Sequence, residues 1–174
     1  MKKKFFLLVL MALTTLCAFA GSDIKVIDGN KKFLKKAAGE AHLTIDWSEA
    51  TYDYQMPLAD KFSDLQNYTD AAYRGFIESF NEECSKVQIA PSSQNAKYLF
   101  KIKVNNIDQY IKVFGFVPGP ATKMWGTLEV IDLETQQTIV VISIKEVDGG
   151  ASPSPYESFS DCFEELAEQV ADLD

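Results

Sequence analysis

The stretch Lys97-Tyr98-Leu99-Phe100-Lys101-Ile102-Lys103-Val104 decides the fold. Successive side chains of a strand point to opposite sides, so Tyr98, Phe100, Ile102 and Val104 share one face. Leu99, Lys101 and Lys103 share the other, which leaves one face made for a core and one of mixed character. The alternation slips at Asn105-Asn106, the mark of a β-bulge, before the pattern continues through Ile107 to Val113. Two more alternating runs follow, residues 123–131 and 138–147. The segment Asp132-Leu133-Glu134-Thr135-Gln136-Gln137 between them reads as a hairpin turn. Upstream, Leu43, Ile45 and Trp47 share one face of residues 41–47, a half-buried strand. Residues 67–86 carry Ala72, Phe76, Phe80 and Cys84 at four-residue spacing, with Asn67-Tyr68-Thr69-Asp70 as capping residues. Residues 156–173 carry the stripe Phe159, Phe163, Leu166, Val170 and Leu173. Four strands with one apolar face and two helices with one stripe each predict an α+β two-layer sandwich. Its sheet would be four-stranded and mixed, with both helices on one face.

Ahead of this pattern stands a leader. Lys2, Lys3 and Lys4 run into the apolar stretch 5–13, and Ala18-Phe19-Ala20 supplies a small-residue cleavage site. Residues 1–20 therefore read as a secretory signal peptide and 21–174 as a single domain, exported to the periplasm or beyond the cell, with outer-membrane association compatible. Cys17 follows Leu16, where a lipoprotein signal has a small residue, so a freely released chain is expected. No later stretch is long and apolar enough for a membrane span. The formal charge is −8, and it becomes −11 once the leader's three lysines are removed. Such a balance argues against binding nucleic-acid phosphates or an anionic membrane surface.

The passages Asn95-Ala96-Lys97-Tyr98-Leu99-Phe100 and Leu128-Glu129-Val130-Ile131-Asp132-Leu133-Glu134-Thr135 resemble motifs of bacterial envelope families. These are the TolB amino-terminal domain, LptE and CsgG. The mature chain, with Gly29-Asn30, Leu43-Thr44-Ile45-Asp46 and Ser152-Pro153, is similar to uncharacterised secreted proteins of Bacteroidetes. The resemblance implies a small α/β fold and an envelope setting, and it carries no catalytic residue.

The residues themselves offer little chemistry. His42 is the one histidine and starts a strand, without the second imidazole of a zinc site. Cys84 lies on an apolar helical stripe and suits a core position better than a nucleophile. Gly115-Phe116-Val117-Pro118-Gly119 has bulky residues where a phosphate cradle needs open amides. Glu164, Glu165 and Glu168 read as a solvated helix face. No cofactor, metal or catalytic residue is expected. The leading expectation is a non-enzymatic binding or assembly-accessory module whose partner is an envelope protein. The alternative is a carrier or sensor holding a small hydrophobic ligand near Phe76, Phe80 and Phe163.

Two features stand out against this background. The sheet face away from the helices would carry Leu99, Lys101, Lys103, Trp125, Thr127, Glu129, Val141, Ser143 and Lys145. It is either an ordinary solvated face, with Trp125 covered by residues 24–40, or a docking platform anchored by Trp125. Phe114, Phe116 and Val117 lie in a connector where polar residues are usual. They either fold back over the core or form an apolar tip for a partner or a bilayer.

Overall fold

The computed structural model describes residues 23–114 and 117–173, with Phe114 described by its backbone alone. The leader 1–20, Cys17 and Phe116 lie outside them. The chain runs β1 (Ile24–Gly29), α1 (Phe33–Lys36), β2 (Gly39–Asp46), β3 (Thr51–Tyr52), β4 (Met56–Pro57), α2 (Leu58–Lys61) and α3 (Leu65–Glu83). It continues with β5 (Val87–Ile89), β6 (Tyr98–Phe114), β7 (Val117–Asp132), β8 (Gln137–Ala151) and α4 (Pro155–Ala171).

The expected four-stranded sheet with two helices is corrected to an eight-stranded mixed sheet with four helices among the described residues. The sheet order is β1-β8-β7-β6-β2-β5, with β3 pairing β4 and β6. The four expected strands form its centre, β2 parallel to β6 and β6-β7-β8 antiparallel. A free sheet edge exposes unpaired N–H and C=O groups, and it recruits whatever extended chain lies beside it. On one side β1 takes the edge of β8, and on the other the three-residue β5 takes the edge of β2. The short helix α1 buries Phe33 and Leu34, and the Phe33 ring lies 6.1 Å from Phe100.

The slip at Asn105-Asn106 is a bulge in β6, with Val104 opposite Gly126 and Asn106 opposite Trp125. Of the connector expected at 114–122, Phe114 and residues 117–122 are strand: β7 begins at Val117 and pairs with β6 from Phe114↔Val117 inward. Pro118 and Pro120 are tolerated there because each pairs at a position whose N–H would point away from β6.

Helices α3 and α4 cover one sheet face, α3 against β2 and β5 and α4 against β1, β7 and β8. The core between them is made of Phe76, Phe80, Phe159, Phe163 and Leu166 from the helices and Phe100, Ile102, Leu128 and Ile142 from the sheet, all without solvent exposure. The two helices run side by side, Tyr68 meeting Tyr156 and Gly75 meeting Ser160. A Cβ on Gly75 would stand 2.4 Å from the Ser160 carbonyl oxygen, so this crossing admits only glycine. Helix α4 is capped by Ser154, whose hydroxyl accepts from the Glu157 N–H at 3.2 Å, with Pro155 opening the first turn. Helix α3 starts at Leu65, two residues ahead of the expected cap, so Asn67 sits exposed in its first turn.

Candidate functional site: the open sheet face

The face of the sheet turned away from α3 and α4 is laid out in rows by the strand register. One row reads Asp46, Lys103, Thr127, Ser143 and Lys25 across β2, β6, β7, β8 and β1. The next reads Thr44, Lys101, Glu129, Val141 and Asp28. Leu99 pairs with His42 and Ile131 one row further along. Lys145 is exposed in a bulge of β8 that faces Trp125, beside Glu146. The structure thus brings Leu99, Lys101, Lys103, Trp125, Thr127, Val141 and Lys145 onto one surface. The opposite residues of β7, Met124, Leu128 and Val130, are fully buried against the helices.

Trp125 is half-buried, and the ring of Tyr54 lies against it. The two ring centroids lie 5.7 Å apart at an interplanar angle of 59°, one of the tilted arrangements that aromatic pairs favour. Tyr54 itself is 65% exposed, and Met56 beside it is also exposed. Tyr54 sits in the three-residue loop of the β3–β4 hairpin, where Tyr52 pairs with Met56. Asp53 and Tyr54 both hold positive φ, 50° and 55°. Two consecutive non-glycine residues in this region cost energy, because Cβ crowds the backbone there.

The buried Asn106 offsets that cost. Its Oδ1 accepts from the Tyr54 N–H at 2.7 Å and from the Thr51 hydroxyl at 2.9 Å. The Asp53 N–H adds a bond to the Ile107 carbonyl at 3.0 Å. The Asn106 Nδ2 is buried without a hydrogen-bond partner among the described residues. The strained turn therefore has one effect at the surface: it holds an aromatic ring over Trp125 and out toward solvent. Around the pair stand the ion pairs Lys103–Glu49 and Lys123–Glu146. Sequence reasoning finds Trp125 but misses Tyr54, Met56 and Asn106. Asp53-Tyr54 lacks the Gly or Asn that marks a positive-φ turn, and the only trace is the slip in alternation at Asn105-Asn106.

Next to this corner the β6–β7 hairpin runs out as an arm, its base tied down by Asp148 on β8. The Tyr110 hydroxyl donates to Asp148 Oδ2 at 2.6 Å, and the Lys112 ammonium donates to the same oxygen at 3.0 Å. Burial by itself would raise the Asp148 carboxyl. The bonds from Tyr110, the Gly150 N–H and Lys112 outweigh it and hold the group below its ordinary value of 3.8. Asp148 thus stabilises the fold fully above that ordinary value, and the contribution is lost as pH falls through the lowered folded value. Asp148→Asn is expected to cost ~1–2 kcal/mol at neutral pH. In urea denaturation at successive pH values, the difference from wild type should shrink below about pH 4. A difference that persists unchanged at lower pH would contradict this assignment.

The remaining candidates fall outside this surface. His42 is half-buried beside Leu99 in the parallel ladder. Cys84 and Cys162 are both buried and free, and burial pushes the Cys162 thiol up while its Sγ donates to the Val147 carbonyl at 3.3 Å. Phe76 and Phe80 stack at 5.9 Å, Phe80 meets Phe100 at 5.2 Å and Phe163 meets Trp47 at 5.8 Å. These rings pack against one another between the helices and the sheet. Val117 of the expected tip is 71% exposed. Among the described residues no helix is long and apolar enough to cross a membrane.

No family model matches the chain, and no curated protein matches it. Among solved structures it is similar to the PelC dodecamer from Paraburkholderia phytofirmans, at 15% identity and a TM-score of 0.47 over 84% of this chain and 96% of that one. It is also similar to a Xanthomonas campestris protein of the family DUF330, at 13% identity and a TM-score of 0.36 over 78% of this chain and 81% of that one. These are likenesses in the path of the chain, at identities that carry no residue roles across.

Proposed function

We propose that this chain is a non-enzymatic binding or assembly-accessory module of the bacterial envelope. It docks a partner protein on the open sheet face around Trp125 and Tyr54. The observation that carries the reading is the turn at Asp53-Tyr54, where backbone strain and a buried Asn106 are used to hold an exposed aromatic pair in place. Strain of this kind persists only where the surroundings over-determine it, and it gathers at functional sites. A Trp and a Tyr rimmed by Lys and Glu have the make-up of an interface anchor, with large contact area at the centre and charge at the edge. The leader at residues 1–20 and the resemblance of the 95–100 and 128–135 passages to envelope families support the compartment.

The test is capture from the native envelope with the exported protein as bait, wild type against a Tyr54→Ser, Trp125→Ala double variant. The expected result is a defined partner, retained by wild type and reduced at least tenfold by the variant. An envelope proteome bound equally by both proteins would overturn the reading.

A further inference from the structure

An edge strand presents N–H and C=O groups that an extended chain can bond, so each end of a sheet must be kept from growing. At one end β1 is interrupted by a bulge between Val26 and Asp28, which breaks its row of bonding groups. At the other end stands β5, three residues long and parallel to β2. Its surroundings, Val87-Gln88-Ile89-Ala90, carry no charge, and Val87 and Ile89 are β-branched residues of the kind that favour strands.

The ladder fixes which groups β5 would offer to a newcomer. In a parallel pair, alternate residues of a strand turn their backbone groups to the same neighbour. The Lys86 carbonyl accepts from the Gly39 N–H at 3.0 Å, and the Ala90 N–H donates to the Ala41 carbonyl at 2.9 Å. Residues 86, 88 and 90 therefore turn toward β2. Val87 and Ile89 turn the other way, to the side where a next strand would lie.

Asn81, half-buried in the last turn of α3, stands on that side. Its Oδ1 accepts from the Ile89 N–H at 2.7 Å, and its Nδ2 donates to the Ile89 carbonyl at 3.0 Å. One bond runs each way, which fixes the orientation of the amide: turned over, it would set donor against donor and acceptor against acceptor. A carboxamide carries the same donor and acceptor as a peptide unit, so Asn81 makes the two bonds that a neighbouring strand would make to Ile89. Gln88 ties the arrangement to the helix end. Its Nε2 donates to the Asn81 carbonyl at 3.2 Å and to the outward Val87 carbonyl at 3.4 Å. Two residues beyond Ile89 stands Pro91, which has no N–H to offer.

We infer that Asn81 is the stop of this sheet edge: its side chain takes the place of a neighbouring strand and keeps β5 from pairing with an extended chain. The chain it excludes first is a second copy of this protein. A two-fold axis beside β5 brings the identical edge of another molecule against it in antiparallel register, a self-complementary contact that needs no other partner. This role belongs to the edge and is independent of the open sheet face.

The test compares wild type with Asn81→Ala, both purified after export, by sedimentation velocity over a concentration series and by hydrogen exchange at the Ile89 amide. Asn81→Ser, which removes the carboxamide but keeps a polar side chain in the helix, is measured beside them, so that a folding loss in one variant leaves the other to be read. In dilute solution the Ile89 amide is expected to exchange at least tenfold faster in the variants than in wild type. As the variants are concentrated, they are expected to gain an association that wild type lacks, and the Ile89 amide should regain its protection with it. Equal protection of the Ile89 amide in all three proteins, or an amide that stays fast at every concentration of both variants, would overturn the inference.

Discussion

Replacing Asn106 with alanine is expected to lower folding stability by about 3 kcal/mol, through lost hydrogen bonds and the void left in the core, against which relaxation of the strained turn returns a smaller amount. The side chain is fully buried, and its Oδ1 is the acceptor for the Tyr54 N–H and the Thr51 hydroxyl. Truncation leaves the Tyr54 N–H without its partner, confines the Thr51 hydroxyl to the Asn105 carbonyl at 3.1 Å, and opens a small void in β6. It also removes what holds Asp53 and Tyr54 at positive φ, so Tyr54 should swing away from Trp125. Urea denaturation reads the stability, and Trp fluorescence reads the exposure of the indole. A companion change separates strain from hydrogen bonding. Asp53→Gly should be neutral or stabilising, by up to ~1 kcal/mol, since glycine adopts φ near 50° without crowding. A loss below ~1 kcal/mol for Asn106→Ala would mean that the turn is held by something else.

Trp125→Ala carries the second large effect, and it divides between two observables. Affinity for the docked partner is expected to fall by ~2 kcal/mol or more, roughly thirtyfold, as for an anchor at the centre of an interface. Folding stability should fall by only ~1–2 kcal/mol, because the indole is half-buried and loses mainly its contact with Tyr54. Phe159→Ala supplies the scale for a true core aromatic. Phe159 has no solvent exposure and touches Trp47, Phe62 and Tyr68, so its loss should cost ~3–5 kcal/mol. A loss of that size for Trp125→Ala would place the indole in the core and end its role as an anchor.

The centre of the molecule was legible in the sequence because its strands are amphipathic with strict period two and its helices carry clean four-residue stripes. That is why Phe100, Ile102, Leu128 and Phe163 face one another as the alternation requires. The periphery was legible only in part: the alternation of Ile24-Lys25-Val26-Ile27 marks the strand β1, and residues 87–89 read as extended, but neither shows its place at a sheet edge. Val87-Gln88-Ile89 is too short to show a period, and its pairing with β2 is decided by the free edge beside it. Pro118 and Pro120 signal a loop to any local rule, yet on a two-stranded arm their missing N–H groups face outward and cost no ladder bond. The open face was half legible. Alternation turns Trp125 and its row away from the helices. Tyr54 arrives from 71 residues upstream through a turn whose residues carry no turn signature, held by an asparagine that local pattern reads only as a slip.

The most direct measurement is photo-cross-linking from position 54. A benzophenone amino acid in place of Tyr54 places a reactive ketone beside Trp125, at a site already exposed to solvent. Irradiated in the native envelope, it should give one discrete heavier adduct, and that adduct should disappear when Trp125→Ala is added while the protein remains folded. No adduct, or a smear of adducts that Trp125→Ala leaves unchanged, would contradict a docking site on this face.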